Sequence, residues 1–222
     1  KMRANALNSL DKQMELIASD PVFPSTRFQG SKLKIVDWIW EAVKNLDCNT
    51  VLDLFGGTGS VGYMFKKRGK LVTYNDILRF NWYIALALIE NSDIRLTTDE
   101  IDFILIPKVG RGYPTFIHDT FRDIYYTDGE NLWIDMAAAN IRDLENVYKQ
   151  ALAYFALFQS CISKRPFNLF HRRNLYLRQS NVERNFGNKA TWDTPFDAHF
   201  RKFIKAANGA VFSNGRENRC LN

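Results

Sequence analysis

Cysteine is scarce: Cys48, Cys161 and Cys220 are the only three in 222 residues, odd in number and far apart. That excludes a disulfide-stapled scaffold, and without a close Cys/His pair there is no set of structural zinc ligands. No apolar run approaches the roughly 18 residues of a membrane span, and the polar start Lys1-Met2-Arg3 leads into no secretory apolar segment. A reduced, cytoplasmic chain with no metal and no membrane contact is expected. Internal repeats are also missing. What is present is an ordinary globular composition, 46% hydrophobic, which excludes disorder for most of the chain. The length suits one large domain, or one domain carrying a sizeable insertion.

The formal charge is +6, and its distribution matters more than its total. Between Cys161 and Lys205, ten bases face three acids, a local excess of +7 that leaves −1 for the rest of the chain. Interleaved with Phe167, Phe170, Tyr176, Phe186 and Trp192, this excess is the footprint of a surface that meets nucleic-acid phosphate. A solvated basic face is the alternative reading.

Four zones follow along the chain. Residues 1–26 form an N-terminal arm, with helical spacing at Leu7, Leu10, Met14 and Ile17 and a turn or extended segment at Asp20-Pro21-Val22-Phe23-Pro24. Residues 27–96 alternate: a helix over Ile35, Val36, Ile39, Trp40 and Val43; a strand at Thr50 to Leu54; a helix from Val61 to Lys67; a strand at Leu71 to Tyr74; and a helix from Leu78 to Glu90. That alternation predicts a parallel, doubly wound α/β sheet. Residues 97–207 read as an insertion. It comprises a mixed strand and loop stretch, one long helix with Ile141, Leu144, Val147, Tyr148, Leu152 and Phe155 on a single face, and then the basic segment. Residues 208–222 return to the sheet, with Ala210-Val211-Phe212 as the strand-like run.

The sharpest motif is Asp53-Leu54-Phe55-Gly56-Gly57-Thr58-Gly59-Ser60, lying between a predicted strand and a predicted helix. Glycines there permit a tight turn and close approach of a ligand, and the helix start presents unpaired amides. Gly57, Gly59 and Gly62 form a literal G-x-G-x-x-G, so a dinucleotide site is one reading. Asp53 argues against it: a carboxylate at the strand end repels a pyrophosphate and attracts a cationic ammonium group. Asp76, at the end of the second strand, suits a ribose diol or the N-cap of the following helix, and the two roles can coexist.

These residues together resemble a family. Arg27-Phe28-Gln29-Gly30-Ser31-Lys32, then Asp53-x-Phe55-x-Gly57-x-Gly59, then Asn75-Asp76, looks like the N-terminal half of the Dam-like adenine-specific (N6) DNA methyltransferases. The likeness continues through Glu130-Asn131-x-Trp133-x-Asp135, Lys164-Arg165-Pro166-Phe167-Asn168-Leu169-Phe170-His171-Arg172, Phe186-Gly187-Asn188-Lys189 and Trp192-Asp193-Thr194-Pro195-Phe196, covering about residues 25 to 222. The resemblance implies a partial Rossmann-like S-adenosylmethionine-dependent methyltransferase sheet with an inserted, mainly helical target-recognition subdomain. Phe28, Gly30 and Lys32 would help bind S-adenosylmethionine, and Asp53 would face its ammonium. Phe55, Gly56, Gly57, Thr58, Gly59 and Ser60 would wrap its middle, and Asp76 with Ile77 would take the nucleoside end. From the residues alone, Phe28 could equally be a core aromatic and Lys32 a surface lysine. In the insertion, Arg165, Asn168, Arg172, Arg173, Arg178 and Lys189 are the candidates for contacting double-stranded DNA, with Asn168 also readable as a turn residue.

One departure from the family pattern is plain. Its catalytic signature, an Asp or Asn followed by Pro-Pro and an aromatic, occurs nowhere in the 222 residues. No catalytic residue is therefore assigned to this chain. The sequence is expected to be a truncated fragment or one subunit of a split, heterodimeric restriction-modification enzyme, completed by another chain or C-terminal segment carrying Asp-Pro-Pro-Tyr. The rival readings are a DNA-binding module that keeps the fold without turnover, and a small oxidoreductase that binds NAD.

Overall fold

The computed structural model describes residues 20–26, 30–165, 173–180 and 189–222. After a single 3-10 turn at Leu33–Ile35, the chain runs α1 (Val36–Val43), β1 (Thr50–Asp53), α2 (Ser60–Lys67), β2 (Leu71–Asn75) and α3 (Arg79–Ala85). The last of these continues as a wider π-helical turn over Leu86–Glu90. Strand and helix alternate here as the hydrophobic pattern requires, and a helical crossover between strands makes β1 and β2 parallel, with Thr50 opposite Leu71 and Asp53 opposite Tyr74.

The third strand is β3 (Arg219–Leu221), parallel to β2, giving the order β1-β2-β3. It is not the run Ala210-Val211-Phe212. Ala210 ends a helix, and its carbonyl accepts the Tyr63 hydroxyl at 2.7 Å while the Phe212 ring packs edge-on against Tyr63. An apolar triplet that reads as a strand is thus spent on closing α2 against the last helix. The outward edge of β3 is itself covered: Cys220 N–H donates to the Glu90 carboxylate at 2.6 Å, and its carbonyl accepts Trp82 Nε1 at 3.1 Å. β1 is the other edge strand and leaves Leu52 exposed.

Between sheet strands β2 and β3 the described residues are helical: α4 (Thr98–Leu105), α5 (Phe116–Thr120), α6 (Asp128–Arg142), α7 (Val147–Lys164), α8 (Leu175–Gln179), α9 (Lys189–Asp193) and α10 (Phe196–Ala210). The expected strand and loop stretch after residue 97 is helix and loop instead. Both α4 and α6 open with a reciprocal Thr-x-x-Glu cap, Thr97 with Glu100 and Thr127 with Glu130. The single long helix through Ile141 and Phe155 is two helices. Asn146 breaks it, its side chain accepting from the N–H groups of Tyr148 and Lys149 at the start of α7. One apolar core runs without interruption from Tyr63, Val72 and Tyr74 through Ile104 and Phe155 to Phe200 and Val211, so the helical stretch packs onto the sheet portion. No helix among the described residues is long and apolar enough to cross a membrane.

Lys66 is fully buried on α2, with no carboxylate partner among the described residues. It donates to the Leu88 and Asn91 carbonyls at 3.1 and 2.8 Å and sits 4.5 Å from the centre of the Phe212 ring, so it secures the C-terminal end of the π-helical turn. Burial lowers its pKa to about 8. A depressed amine pKa means that the unfolded chain holds more protons above about pH 8, so stability should rise with pH from there toward the ordinary lysine value of 10.5. Unfolding in urea at about pH 8 and about pH 10, compared between wild type and Lys66→Met, should show this gain in the wild type only. An equal response in both proteins would remove Lys66 as its source.

Candidate functional site

Every described residue of the first motif set gathers at the C-terminal ends of β1 and β2. The glycine loop after β1 is latched to the end of β2 by three bonds. Gly56 N–H donates to the Asn75 carbonyl at 3.1 Å, Asn75 Nδ2 donates to the Leu54 carbonyl at 2.9 Å, and Tyr74 donates its hydroxyl to the Gly57 carbonyl at 2.5 Å. Tyr74 is fully buried beneath the loop. Its ring explains Gly56: a Cβ there would lie 2.1 Å from Tyr74 Cε2. Gly57 and Gly59 take left-handed backbone at φ 54° and 76°, which turns the chain into α2.

Two carboxylates frame this loop. Asp53 Oδ2 accepts Gly62 N–H at 3.0 Å, inside the first turn of α2. Burial raises the Asp53 pKa above the usual carboxylate range and the negative charge of Asp76 adds to this, while the Gly62 amide and the Lys32 ammonium pull against it. Asp76 Oδ2 accepts Gly57 N–H at 2.9 Å, and its Oδ1 accepts Leu78 N–H at 2.8 Å and Asn81 Nδ2 at 3.2 Å. Asp76 therefore pins the glycine loop and holds the turn into α3 at once, although the N-cap of that helix is Leu78 and not Asp76. Because a carboxylate offers about four lone-pair positions, three bonds leave room for one more donor.

The Gly30-Ser31-Lys32 segment joins the same place. Ser31 Oγ lies 3.4 Å from Thr58 Oγ1, and Lys32 acts electrostatically on Asp53. Gly30 has φ 85°. Thr58 and Ser60 are buried, whereas Phe55 in the loop and Ile77 next to Asp76 stand out at 77% and 87% exposure. A half-buried Asp53 and a buried Asp76 beside exposed apolar side chains suit a ligand that carries both a positive charge and a flat apolar part. Phe28 lies outside the described residues. Sequence reasoning missed the part played by Tyr74 beneath the loop; an aromatic two residues before the acid, facing a diglycine, was its only trace.

The basic segment divides into an inner and an outer set. Arg165 is buried at 4% exposure, its guanidinium 4.5 Å from the Tyr125 ring centre, and Arg178 bonds the Glu130 carboxylate through two nitrogens at 2.6 and 2.7 Å. These two guanidiniums, expected on the DNA face, are turned into the protein because Tyr125 and Glu130 offer them a stacking face and a carboxylate. Arg173 and Lys189 are exposed, Lys189 pairing with Asp193 one turn along α9 at 3.2 Å. Asn168 and Arg172 lie outside the described residues.

Residues 28–222 match the family described as D12 class N6 adenine-specific DNA methyltransferase. The chain belongs to this family. Among the type II methyltransferases similar to it, M2.HphI of Haemophilus parahaemolyticus is 34% identical over 211 residues, covering 92% of this chain and 61% of that protein. M.FokI of Planomicrobium okeanokoites is 41% identical over 71 residues, 31% of this chain and 11% of that protein. The chain thus spans about three fifths of M2.HphI and matches a small part of M.FokI. No solved structure is significantly similar to it. The D12 assignment agrees with the family expected from the motifs, and the parallel α/β sheet is consistent with a methyltransferase fold.

Proposed function

We propose that this D12-class chain forms the S-adenosylmethionine-binding and DNA-recognition part of a cytoplasmic adenine-N6 methyltransferase of a restriction-modification system. In this reading the acceptor tetrapeptide Asp-Pro-Pro-Tyr lies on another chain or segment. The observation that carries the reading is the convergence of Asp53, the glycine loop, Asp76 and Lys32 at one end of a parallel sheet. S-adenosylmethionine, when bound, supplies an electrophilic methyl group on a sulfonium. The chain's own residues fit it: Asp53 presents a partly desolvated carboxylate to the ammonium, Asp76 keeps a lone pair for a ribose hydroxyl, and Phe55 and Ile77 flank the flat base. The bonds of Gly56, Gly57 and Tyr74 hold the loop still, so the ligand meets a preformed surface. A dinucleotide would set its pyrophosphate against Asp53, which disfavours the NAD reading.

Calorimetry tests this directly. The wild-type chain should bind S-adenosylmethionine saturably and NAD not at all. Asp53→Ala should weaken S-adenosylmethionine binding by roughly 1.5 to 3 kcal/mol, about 10- to 150-fold, through loss of a charge-assisted contact. Affinity should also fall as pH drops into the Asp53 titration, because the neutral acid no longer balances the ammonium. The stability of the free chain carries the opposite sign: a raised carboxyl pKa favours the protonated fold, and that contribution is lost as pH rises through the folded pKa. Unchanged affinity in a folded Asp53→Ala variant removes Asp53 from the site. Absence of any saturable binding favours the rival reading of a DNA-binding module without turnover.

A further inference from the structure

Lys164, the last residue of α7, is 3% exposed and Arg178 of α8 is 9% exposed in their side chains, yet both end on one carboxylate, that of Glu130. Lys164 Nζ lies 2.9 Å from Glu130 Oε1, Arg178 holds both oxygens, and Lys164 also donates to the Thr194 carbonyl at 2.7 Å, beyond α9. The cations hold the Glu130 pKa down to about 2 against the effect of burial. Glu130 is itself fixed at the third position of α6, where its Oε2 accepts the Thr127 N–H at 3.0 Å. Three helices, α6, α7 and α8, therefore meet at one anion, and the Thr194 bond of Lys164 ties the chain just beyond α9 to it.

Burying three charges is a poor way to add stability, since apolar residues of the same volume do as well or better; such networks can instead fix one arrangement of the parts they join. What is joined here is specific. Lys164 ends α7, Arg178 lies on α8 with Arg173 just before that helix, and the Thr194 bond draws in the end of α9, which carries Lys189. Of the bases from Lys164 to Lys189, Lys164 and Arg178 are spent on bracing, whereas Arg173 and Lys189 are exposed, Lys189 beside Asp193.

Resting on the DNA-recognition reading above, we infer that Glu130 is a positioning residue for sequence selection: it ties Lys164 at the end of α7, Arg178 of α8 and, through Lys164, the end of α9 to one point, and so sets the spacing of the exposed Arg173 and Lys189. It acts on the discrimination between sequences and leaves the general attraction to phosphate, which depends on the outer cations, nearly intact.

The test compares selection from a pool of duplexes with a randomised centre with binding to a mixed-sequence duplex. Glu130→Gln keeps the size and an oxygen for the Thr127 N–H but removes the charge; Glu130→Asp keeps the charge and shortens the reach by one methylene. Leu88→Ala, a cavity variant in the π-helical turn, serves as a control for simple loss of stability. Wild type should enrich a defined sequence, and both Glu130 variants should lose that enrichment about tenfold or more while binding the mixed duplex within about threefold of wild type, as expected when phosphate contacts survive. Leu88→Ala should keep the selection. Wild-type enrichment in both Glu130 variants, or equal loss in Leu88→Ala, overturns the positioning role alone. A wild-type chain that enriches nothing overturns the DNA-recognition reading and the inference with it.

Discussion

Gly56→Ala should cost about 3 kcal/mol of stability and abolish S-adenosylmethionine binding, although it adds a single methyl group. The new Cβ would lie 2.1 Å from Tyr74 Cε2 and 2.5 Å from Cδ2. The ring cannot yield, because Tyr74 is fully buried in the central strand and its hydroxyl is bonded to the Gly57 carbonyl. The loop must move instead, breaking the Gly56–Asn75 and Gly57–Asp76 bonds that hold it over the carboxylates. For a chain of this length the loss corresponds to a fall of roughly 6 to 12 °C in thermal midpoint. Gly57→Ala provides the comparison: its Cβ would meet nothing within 4 Å, so only the strain of φ 54° remains, worth about 1 kcal/mol. Thermal melts that rank the two the other way round would show that the loop is not wedged against Tyr74.

Much of this site was legible in the sequence because it is local. Asp53, the glycine loop and Asp76 belong to one strand-helix-strand unit, where spacing alone places the residues at adjacent strand ends, and the Gly30-Ser31-Lys32 turn was found through its motif. The helical insertion was legible only in outline. Its boundaries lay in side-chain caps: the Asn146 side chain splits an apolar stripe that looks continuous, and the Thr97 and Thr127 boxes start helices where a strand or loop was expected. The return strand was misplaced for a different reason. Val211 and Phe212 have strand-like composition, but Phe212 packs against Tyr63 of α2 and the Val211 carbonyl accepts from Arg95, while the true strand, Arg219–Leu221, holds one fully apolar residue and is fixed by Glu90 and Trp82 from far away in the chain. Arg165 and Arg178 show the same limit: charge excess is visible in the sequence, but whether a guanidinium faces solvent or a buried carboxylate is a tertiary fact.

Methyl transfer to DNA should be undetectable with this chain alone. The adenine amino nitrogen is a weak nucleophile because its lone pair is delocalised into the ring. An Asp or Asn side chain with a neighbouring carbonyl frees that lone pair in the family signature, beside an aromatic that stacks on the flipped base. None of the 222 residues forms that tetrapeptide. A chain that held S-adenosylmethionine and DNA would gain proximity without an acceptor for the amino protons, and proximity helps only when the reacting groups are all in place.

The most direct measurement is transfer of labelled methyl from S-adenosylmethionine to unmethylated genomic DNA, run with the purified chain and then with a candidate polypeptide carrying Asp-Pro-Pro-Tyr added. The account predicts no incorporation above background in the first case and adenine-N6 methylation in the second. Robust incorporation by the purified chain, with contaminating methyltransferase excluded, would contradict it.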